Sequence, residues 1–349
     1  MKILRVGGSV RDEILQKYHP GLPVSTHDLD YVMIDVTETD LAALRRQGYR
    51  EVGNAFPGVF LHPETADQYC IPRSKKRGYD QLVDDLCHRD LTCNAIAVDE
   101  DGEYVDPFGG TRDIQNGILR HVSHHFADDP IRVLRLGRFA ARFGFDIAPE
   151  TIEFVDELRD AGSLDSLQPD RVLLELHKGF SEASPQDMVL FLHDNSLITH
   201  IFGKHALVMV DNVLPLIKSV RQRVGTLTRL SVALVDFWNR MSVEDMNRFL
   251  SRFTLPSELT AVIKTFKRAN REFHTYTELT PLERVRFLRS LRRLNAATTT
   301  SELIDSVLVF HGYQHVLDAI NDDTRRLKAV SIEPGSSLTD IESAYVAAL

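Results

Sequence analysis

Two patterns of apolar residues divide the chain. Up to about residue 120, short apolar and β-branched runs alternate with turn-forming text, and ILRV, LDYVMI, GVFLH, NAIAVD and GEYVD read as strands, with helical pieces such as DLAALRRQGY between them. From DDPIRVLRL onward the spacing becomes i, i+3, i+4: TIEFVDELRDAG, PDRVLLELHKGF, PQDMVLFLHDNSL, VEDMNRFLSRF, PLERVRFLRSLRRL and SELIDSVLVFHGY each predict an amphipathic helix. Pro130, Pro169, Pro185, Pro256, Pro281 and Pro334 fall where helices should start or turns should lie. The segment IEPGSSLTDIESAYVAAL predicts a loop and a short terminal helix. The pattern is that of an α+β module followed by an all-helical body.

A chain of 349 residues has room for two or three domains, since a domain usually holds roughly 100–200 residues. Its formal charge of -9 argues against coating nucleic acid by bulk electrostatics, so any such contact needs a local basic surface. Cys70, Cys87 and Cys93 have no metal-ligand spacing and fit reduced thiols better than a disulfide frame. There is no apolar run of membrane-spanning length, and MKILRV leads straight into a glycine pair without a signal-peptide core, so a cytoplasmic protein is expected.

Candidate chemistry concentrates in four stretches. In THDLDYVMI, Asp28 and Asp30 are two residues apart at the mouth of a predicted strand, and alternation puts both carboxylates on one face. Either Asp28 caps a turn beside a solvated Asp30, or the pair shares a hard divalent cation such as Mg²⁺. In ILRVGGSVRDEIL, a strand, the Gly7-Gly8-Ser9 turn and a helix form a layout suited to cradling phosphate on free N–H groups, with Arg11 one turn further on; a tight turn alone would also use these glycines. In CHRDLTCNA, Arg89 is a candidate sugar or phosphate contact and Asn94 a hydrogen-bonding group facing the same cleft, the plainer alternative being a capped turn with an exposed ion pair. In DDPIRVLRLGRFAARFGF, Arg132, Arg135, Arg138 and Arg142 fall within about a third of a helix circumference, with Val133, Leu136, Ala140 and Phe143 on a neighbouring arc. Such a stripe is either a solvated face or a site whose repulsion is relieved by phosphate or by the acceptor edge of a base.

GGSVRD, DLD, HRDLTCNA, DPFGG and DDPIRVLRLGRFAARFGF together resemble the class II tRNA nucleotidyltransferases, the CCA-adding enzymes, and their relatives the bacterial poly(A) polymerases. The resemblance runs from Met1 to about Gly179, and YREVGNAFPGVFLHPET is similar to the bacterial CCA-adding branch. It implies a polymerase-β-like nucleotidyltransferase head on a mixed sheet (residues 1–120), a helical neck carrying the nucleotide-selecting template (121–180), and a helical body and tail that hold tRNA (181–349). It further implies catalytic Mg²⁺ at Asp28 and Asp30, and contact of CTP or ATP with Gly8, Arg11, Arg89, Arg135 and Arg138. Asp129 and Arg132 would be the template that selects C or A, one accepting from an exocyclic amine and the other donating to ring acceptors. The implied activity is two-metal transfer of CMP and AMP to the tRNA 3′ end. Leu282 to Leu294 is the richest basic stretch of the body and reads either as tRNA contact or as a solvated amphipathic helix.

Departures from the family pattern qualify the product. His88 stands where many members have a second arginine, and Asp128 where the template motif usually has Glu. The stretch IPRSKKRGYDQLVDDLCHRD leaves little room for the long flexible loop of CCA-adding members, which points to addition of CC only as the alternative. In RLSVALVDFWNRMS, Val235-Asp236 occupies the place of the His-Asp pair of a metal phosphohydrolase, so that activity is not expected, and His193, His200 and His205 are scattered core or surface residues. The tail ESAYVAAL lacks the basic character that a poly(A) polymerase would favour. Transfer to a small acceptor is the alternative from another class, and the helical body and arginine stripe argue against it.

Overall fold

The computed structural model describes residues 1–24, 29–52, 58–65, 67–72, 74–202, 242–291, 299–310 and 312–349. Among them a seven-stranded sheet organises the N-terminal part, in the order β3-β4-β5-β2-β1-β6-β7. The strands are β1 (Lys2–Val6), β2 (Asp30–Ile34), β3 (Arg50–Val52), β4 (Val59–Leu61), β5 (Gln68–Cys70), β6 (Ala97–Val98) and β7 (Tyr104–Val105). All neighbours pair antiparallel except β2 and β5, which makes the sheet mixed. Alternation assigns the faces. Leu4, Val6, Val32 and Ile34 pack with Leu82 and Leu86 of α3 (Gly78–Cys87), while Met33 points the other way to Phe60 and to Leu41 and Leu44 of α2 (Glu38–Arg46).

That parity also aims Asp30. It shares the face of Val32 and Ile34 but stands at the strand's first position, where the register pairs it with Val6, the last residue of β1. The chain then turns through Gly7, at φ +75°, into α1 (Gly8–Tyr18). The five expected strands are found, and Arg50–Val52 and Gln68–Cys70 join them. Three-residue strands are too short to show alternation, so REV and QYC carried no pattern. In the run NAIAVD only Ala97–Val98 is strand, and its Asn94 ends a 3₁₀ turn, Thr92–Asn94.

The chain divides into two compact units. The first, Met1–Glu175 with Glu182–Leu197, adds to the sheet α4 (Gly110–Asn116), α5 (Ile131–Phe143), α6 (Pro149–Asp160), the first residues of α7 (Pro169–Ser181) and α8 (Pro185–Asp194). In α5 the arc Val133, Leu136, Ala140 and Phe143 is buried, as its spacing predicts. The second unit, Leu176–Ser181 with Ile198–Leu349, is helical among its described residues. Phe266 and Phe273 of Ser257–Thr275, Val285 and Leu288 of Pro281–Ser290, Val307 of Thr299–Phe310 and Ile320 of Gln314–Lys328 close its core. Buried Tyr276 donates its hydroxyl to Asp323 there, at 2.9 Å. Asp236, His205 and residues 292–294 lie outside the described residues.

Candidate nucleotide-binding site

A cleft of about 400 Å³ opens in the first unit, lined by Val59, Cys70 and Ile71 on one side and by Asp85, His88, Arg89, Asp90, Asp129, Arg132, Arg135 and Arg171 on the other. This volume is in the range of sites for nucleotide-sized ligands. Four of the arginine and aspartate residues singled out in the sequence meet here: Arg89, Asp129, Arg132 and Arg135.

Asp30 reaches this group through Gly7. A side chain at Gly7 would put its Cβ 2.8 Å from Arg89 Nη1 and 3.6 Å from Asp30 Oδ2, so the bare backbone lets guanidinium and carboxylate approach the turn from two sides. Positive φ makes the same demand for glycine. Among the described residues no side chain caps the α1 N-terminus that follows, so its first N–H groups can receive an anion. Two buried polar atoms near this turn, Ser9 Oγ and Arg89 Nε, have no hydrogen-bond partner among the described residues. Asp28 lies outside the described residues.

Asp90 organises the arginine side of the cleft. Its Oδ2 accepts from Arg135 Nε at 2.9 Å, and its Oδ1 accepts from Leu91 N at 2.9 Å and Asn94 Nδ2 at 2.8 Å. Burial alone would raise its pKa, but Arg135 and these N–H donors outweigh it and hold the carboxyl at about 2. The chain of contacts continues inward, Asn94 Oδ1 accepting from Arg11 Nη1 at 2.6 Å while Arg11 Nε donates to Asp12 at 2.7 Å. Arg11 is buried between the rings of Phe139 and Phe143, its guanidinium carbon 5.3 Å from each centroid. The structure therefore brings Arg11 and Asn94 together in the interior beneath the cleft, and Asp90 with them, not in an exposed ion pair.

DPFGG supports that turn from below. Asp106 accepts from the N–H groups of Gly110 and Thr111, both at 2.8 Å, fixing the start of α4. Any side chain at Gly110 would run into the Thr92 carbonyl, 2.1 Å from its Cβ.

The stripe on α5 splits along its length. Arg132 donates from Nη1 to the His125 carbonyl and from Nη2 to the His88 carbonyl, both at 2.6 Å, which fixes its fork at the cleft wall. Arg135 is aimed by Asp90. Arg138, one turn on, is buried and donates to Glu175 at 2.7 Å, with Glu182 at 3.7 Å, and does not line the cleft. Arg142 lies 3.5 Å from Asp12. Asp129 accepts two hydrogen bonds from Arg171, at 3.0 and 2.7 Å. Burial would raise its carboxyl, but Arg171 more than offsets this, and the pKa falls below the ordinary value, so Asp129 is an acceptor at neutral pH. Sequence reasoning passed over both Asp90 and Arg171. The i, i+4 spacing of Asp90 and Asn94 was a usable signal for the first; nothing local marks Arg171.

The chain matches the Poly A polymerase head domain over residues 3–120. It is 38% identical over 324 residues to the Multifunctional CCA protein of Nitrosomonas europaea, an alignment covering 80% of this chain and 76% of that protein. Among solved structures, a CCA-adding enzyme in complex with CTP superposes with a TM-score of 0.74 at 22% identity, covering 99% of this chain and 85% of that one. The Thermotoga maritima CCA-adding enzyme complexed with tRNA superposes with a TM-score of 0.72 at 22% identity over the same shares. These two likenesses concern the fold, a mixed-sheet head followed by helices. Motif order, head-domain match and a relative aligned over most of both chains establish that the chain belongs to the class II tRNA nucleotidyltransferase family.

Proposed function

We propose that this protein adds CMP and AMP from CTP and ATP to the 3′ end of tRNA, completing CCA without a nucleic-acid template. One observation carries the reading at the level of residues: Arg89, Asp129, Arg132 and Arg135 converge on one cleft beside Asp30 and the Gly7 turn.

The glycine turn and the open N–H groups of Gly8 and Ser9 would receive the triphosphate, with Arg89 neutralising it. Arg135 is held toward the cleft by Asp90, whose place in the interior is set by Asn94 and Arg11; these two act through position, not by touching nucleotide. Asp129, an ionised acceptor, and Arg132, a fixed donor fork, would read the base edge. An acceptor beside a donor pair suits cytosine and adenine, which offer an exocyclic amine next to a ring acceptor. Arg138 would brace α5 against Glu175.

A divalent cation fits at Asp30, whose carboxylate flanks a turn that a Cβ would fill, and Asp28 is its proposed companion ligand. Mg²⁺ is the ion we assign; when bound it would neutralise charge on the triphosphate and acidify the tRNA 3′ hydroxyl. No described helix is long and apolar enough to cross a membrane, and the three cysteines are unpaired. We assign the enzyme to the cytoplasm.

The connection from β5 to α3 is short, residues 71–77, with α3 filling most of the stretch between Ile71 and Asp90. This keeps addition of CC alone as the second reading. Purified protein with Mg²⁺ and tRNA transcripts ending before CCA, after C and after CC, offered CTP, ATP or both and sequenced at the 3′ end, decides between them. Growth to CCA is expected. Arrest at CC would assign the narrower activity, and incorporation into none of the three would overturn the proposal.

A further inference from the structure

Beside the cleft, Cys87 at the end of α3 and His88 after it meet His125, from the turn His124–Asp128. One donor atom of each, the thiol sulfur and a ring nitrogen of either histidine, lie within 4.8 Å of one another. The two imidazoles stack with centroids 3.7 Å apart, and all three residues are half-buried.

Hydrogen bonds around the rings fix which nitrogens are available. His88 Nδ1 is 2.7 Å from the Asp84 carbonyl oxygen, which can only accept, so Nδ1 carries the proton and Nε2 keeps its lone pair. His125 Nδ1 is 3.0 Å from the Asp128 carboxylate, which favours the same tautomer. An imidazole oriented by a carbonyl or carboxylate on its far nitrogen is the arrangement that metal-binding histidines adopt. Cys87 Sγ lies 3.1 Å from the same Asp84 carbonyl and 3.4 Å from His88 Nδ1, so a turn of the His88 ring is what would bring its Nε2 to an ion held by the sulfur.

We propose that Cys87, His88 and His125 form a zinc site, with a fourth position open to water. One thiolate and two imidazoles suit tetrahedral Zn²⁺ far better than Mg²⁺, which takes oxygen ligands, so this site is chemically separate from the one at Asp30. Binding would displace the Cys87 proton to solvent as the sulfur–metal bond forms.

The site has a mechanical consequence. The two carbonyls that grip the Arg132 fork belong to His88 and His125, the residues whose rings would hold the ion. Zinc would tie these two chain segments together and so restrict Arg132. This consequence, unlike the site itself, rests on the reading of Arg132 as a base-selecting residue. Coupling between neighbouring sites typically amounts to about 5- to 150-fold, so zinc should shift the ratio of CTP to ATP incorporation by at least about fivefold.

The test uses the full, untagged chain with Co²⁺ as a spectroscopic stand-in for Zn²⁺. A thiolate-to-cobalt charge-transfer band saturating at one equivalent, reversed by Zn²⁺ and lost in Cys87→Ser and His125→Ala, is expected. Asp128→Ala should keep the band but weaken binding about 10- to 100-fold, as loss of an outer partner does. Absence of the band, or its survival in Cys87→Ser, would overturn the site. Incorporation of CTP and ATP is then measured at buffered free Zn²⁺ in the native chain and in Cys87→Ser, which should match the native chain without zinc and ignore zinc. A normal band with an unmoved ratio would overturn the coupling to Arg132. If Arg132→Ala also left nucleotide choice unchanged, the failure would be that of the base-selection reading.

Discussion

Two helices in this protein look alike in sequence and behave differently in structure. α5 carries Arg132, Arg135, Arg138 and Arg142 beside an apolar arc; the helix Pro281–Ser290 carries Arg284, Arg286 and Arg289 beside another. The arginines of α5 are held by backbone carbonyls and by Asp90, Glu175 and Asp12, each no more than 6% exposed. Those of Pro281–Ser290 divide: Arg284 donates to the carbonyls of Thr277 and Leu279 and lies 3.6 Å from buried Asp323, as the arginines of α5 do, whereas Arg286 and Arg289 both pair with Glu342 nearer the surface. A buried carboxylate must be compensated to be tolerated, so its guanidinium partner is fixed in place; an exposed pair is optional. The kind of partner, not the density of arginine, separates a built site from a basic face.

The largest effect expected comes from the side of the site that the arginines do not supply. Asp30→Ala should reduce nucleotide incorporation by more than the about 10- to 100-fold that loss of an outer partner of a metal site costs, while tRNA binding and melting temperature stay near those of the native chain. Rapid-quench incorporation with a parallel tRNA-binding measurement checks this, and retained turnover would remove Asp30 from the metal site.

Asp90→Asn strikes the hub of the α5 contrast. The amide keeps the shape but leaves Arg135 without its counter-charge, at a cost of about 3 kcal/mol in unfolding free energy by urea denaturation. The pH dependence follows from the same residue. Its folded carboxyl, at about 2, lies below its ordinary value of 3.8, so its stabilisation is complete above about pH 4 and lost as pH falls toward 2; it amounts to about 2 kcal/mol. The native chain should lose that stability across this window, and Asp90→Asn should have a flatter profile there. Equal profiles would mean that Asp90 is not the residue that fixes Arg135.

Arg132→Lys tests the cleft end of α5 with a smaller, selective effect. A lysine ammonium cannot span the carbonyls of His88 and His125 as the two-armed guanidinium does. Discrimination of CTP and ATP against UTP and GTP should fall by about 1–3 kcal/mol, read as the ratio of kcat/KM values, with little change in stability. An unchanged ratio would move base selection elsewhere on the cleft wall.

How much of this was legible in the chain follows from the range of the interactions. Periodicity is local, so the helices from Thr151 onward, the alternating strands β1 and β2 and the apolar arc of α5 could be read directly. The residues of the cleft were legible because five motifs stand in a known order, yet their division of labour was not. On a helical wheel Arg138 is equivalent to Arg135; only Glu175, 37 residues away, makes one a brace and leaves the other to the cleft. Arg11 sits one turn into α1, where a phosphate contact is reasonable, but Phe139 and Phe143 enclose it from 128 and 132 positions further along. The metal-ligating set of Cys87, His88 and His125 escaped for the same reason: the third member arrives from a separate turn, so no spacing marks it.

The smallest effect belongs to Arg286→Ala, and its smallness is the point. Arg286 is 61% exposed on its side chain and meets Glu342, itself 16% exposed, at 3.0 Å, in a geometry where water and salt compete for the guanidinium and ordering two long side chains offsets the attraction. Losing it should leave the melting temperature unchanged within error at low and at high salt, whereas Asp90→Asn is destabilising at both because the carboxylate it removes is buried, 7% exposed on its side chain. The salt dependence of tRNA affinity carries the second half of the contrast. An arginine already neutralised by Glu342 contributes little to counterion release, so Arg286→Ala should barely alter the slope, while Glu342→Gln, which frees Arg286 and Arg289 together, should steepen it by up to about one for each arginine that reaches a phosphate. A steep loss of stability in Arg286→Ala would show that this surface pair is as much a part of its fold as the buried pairs of α5.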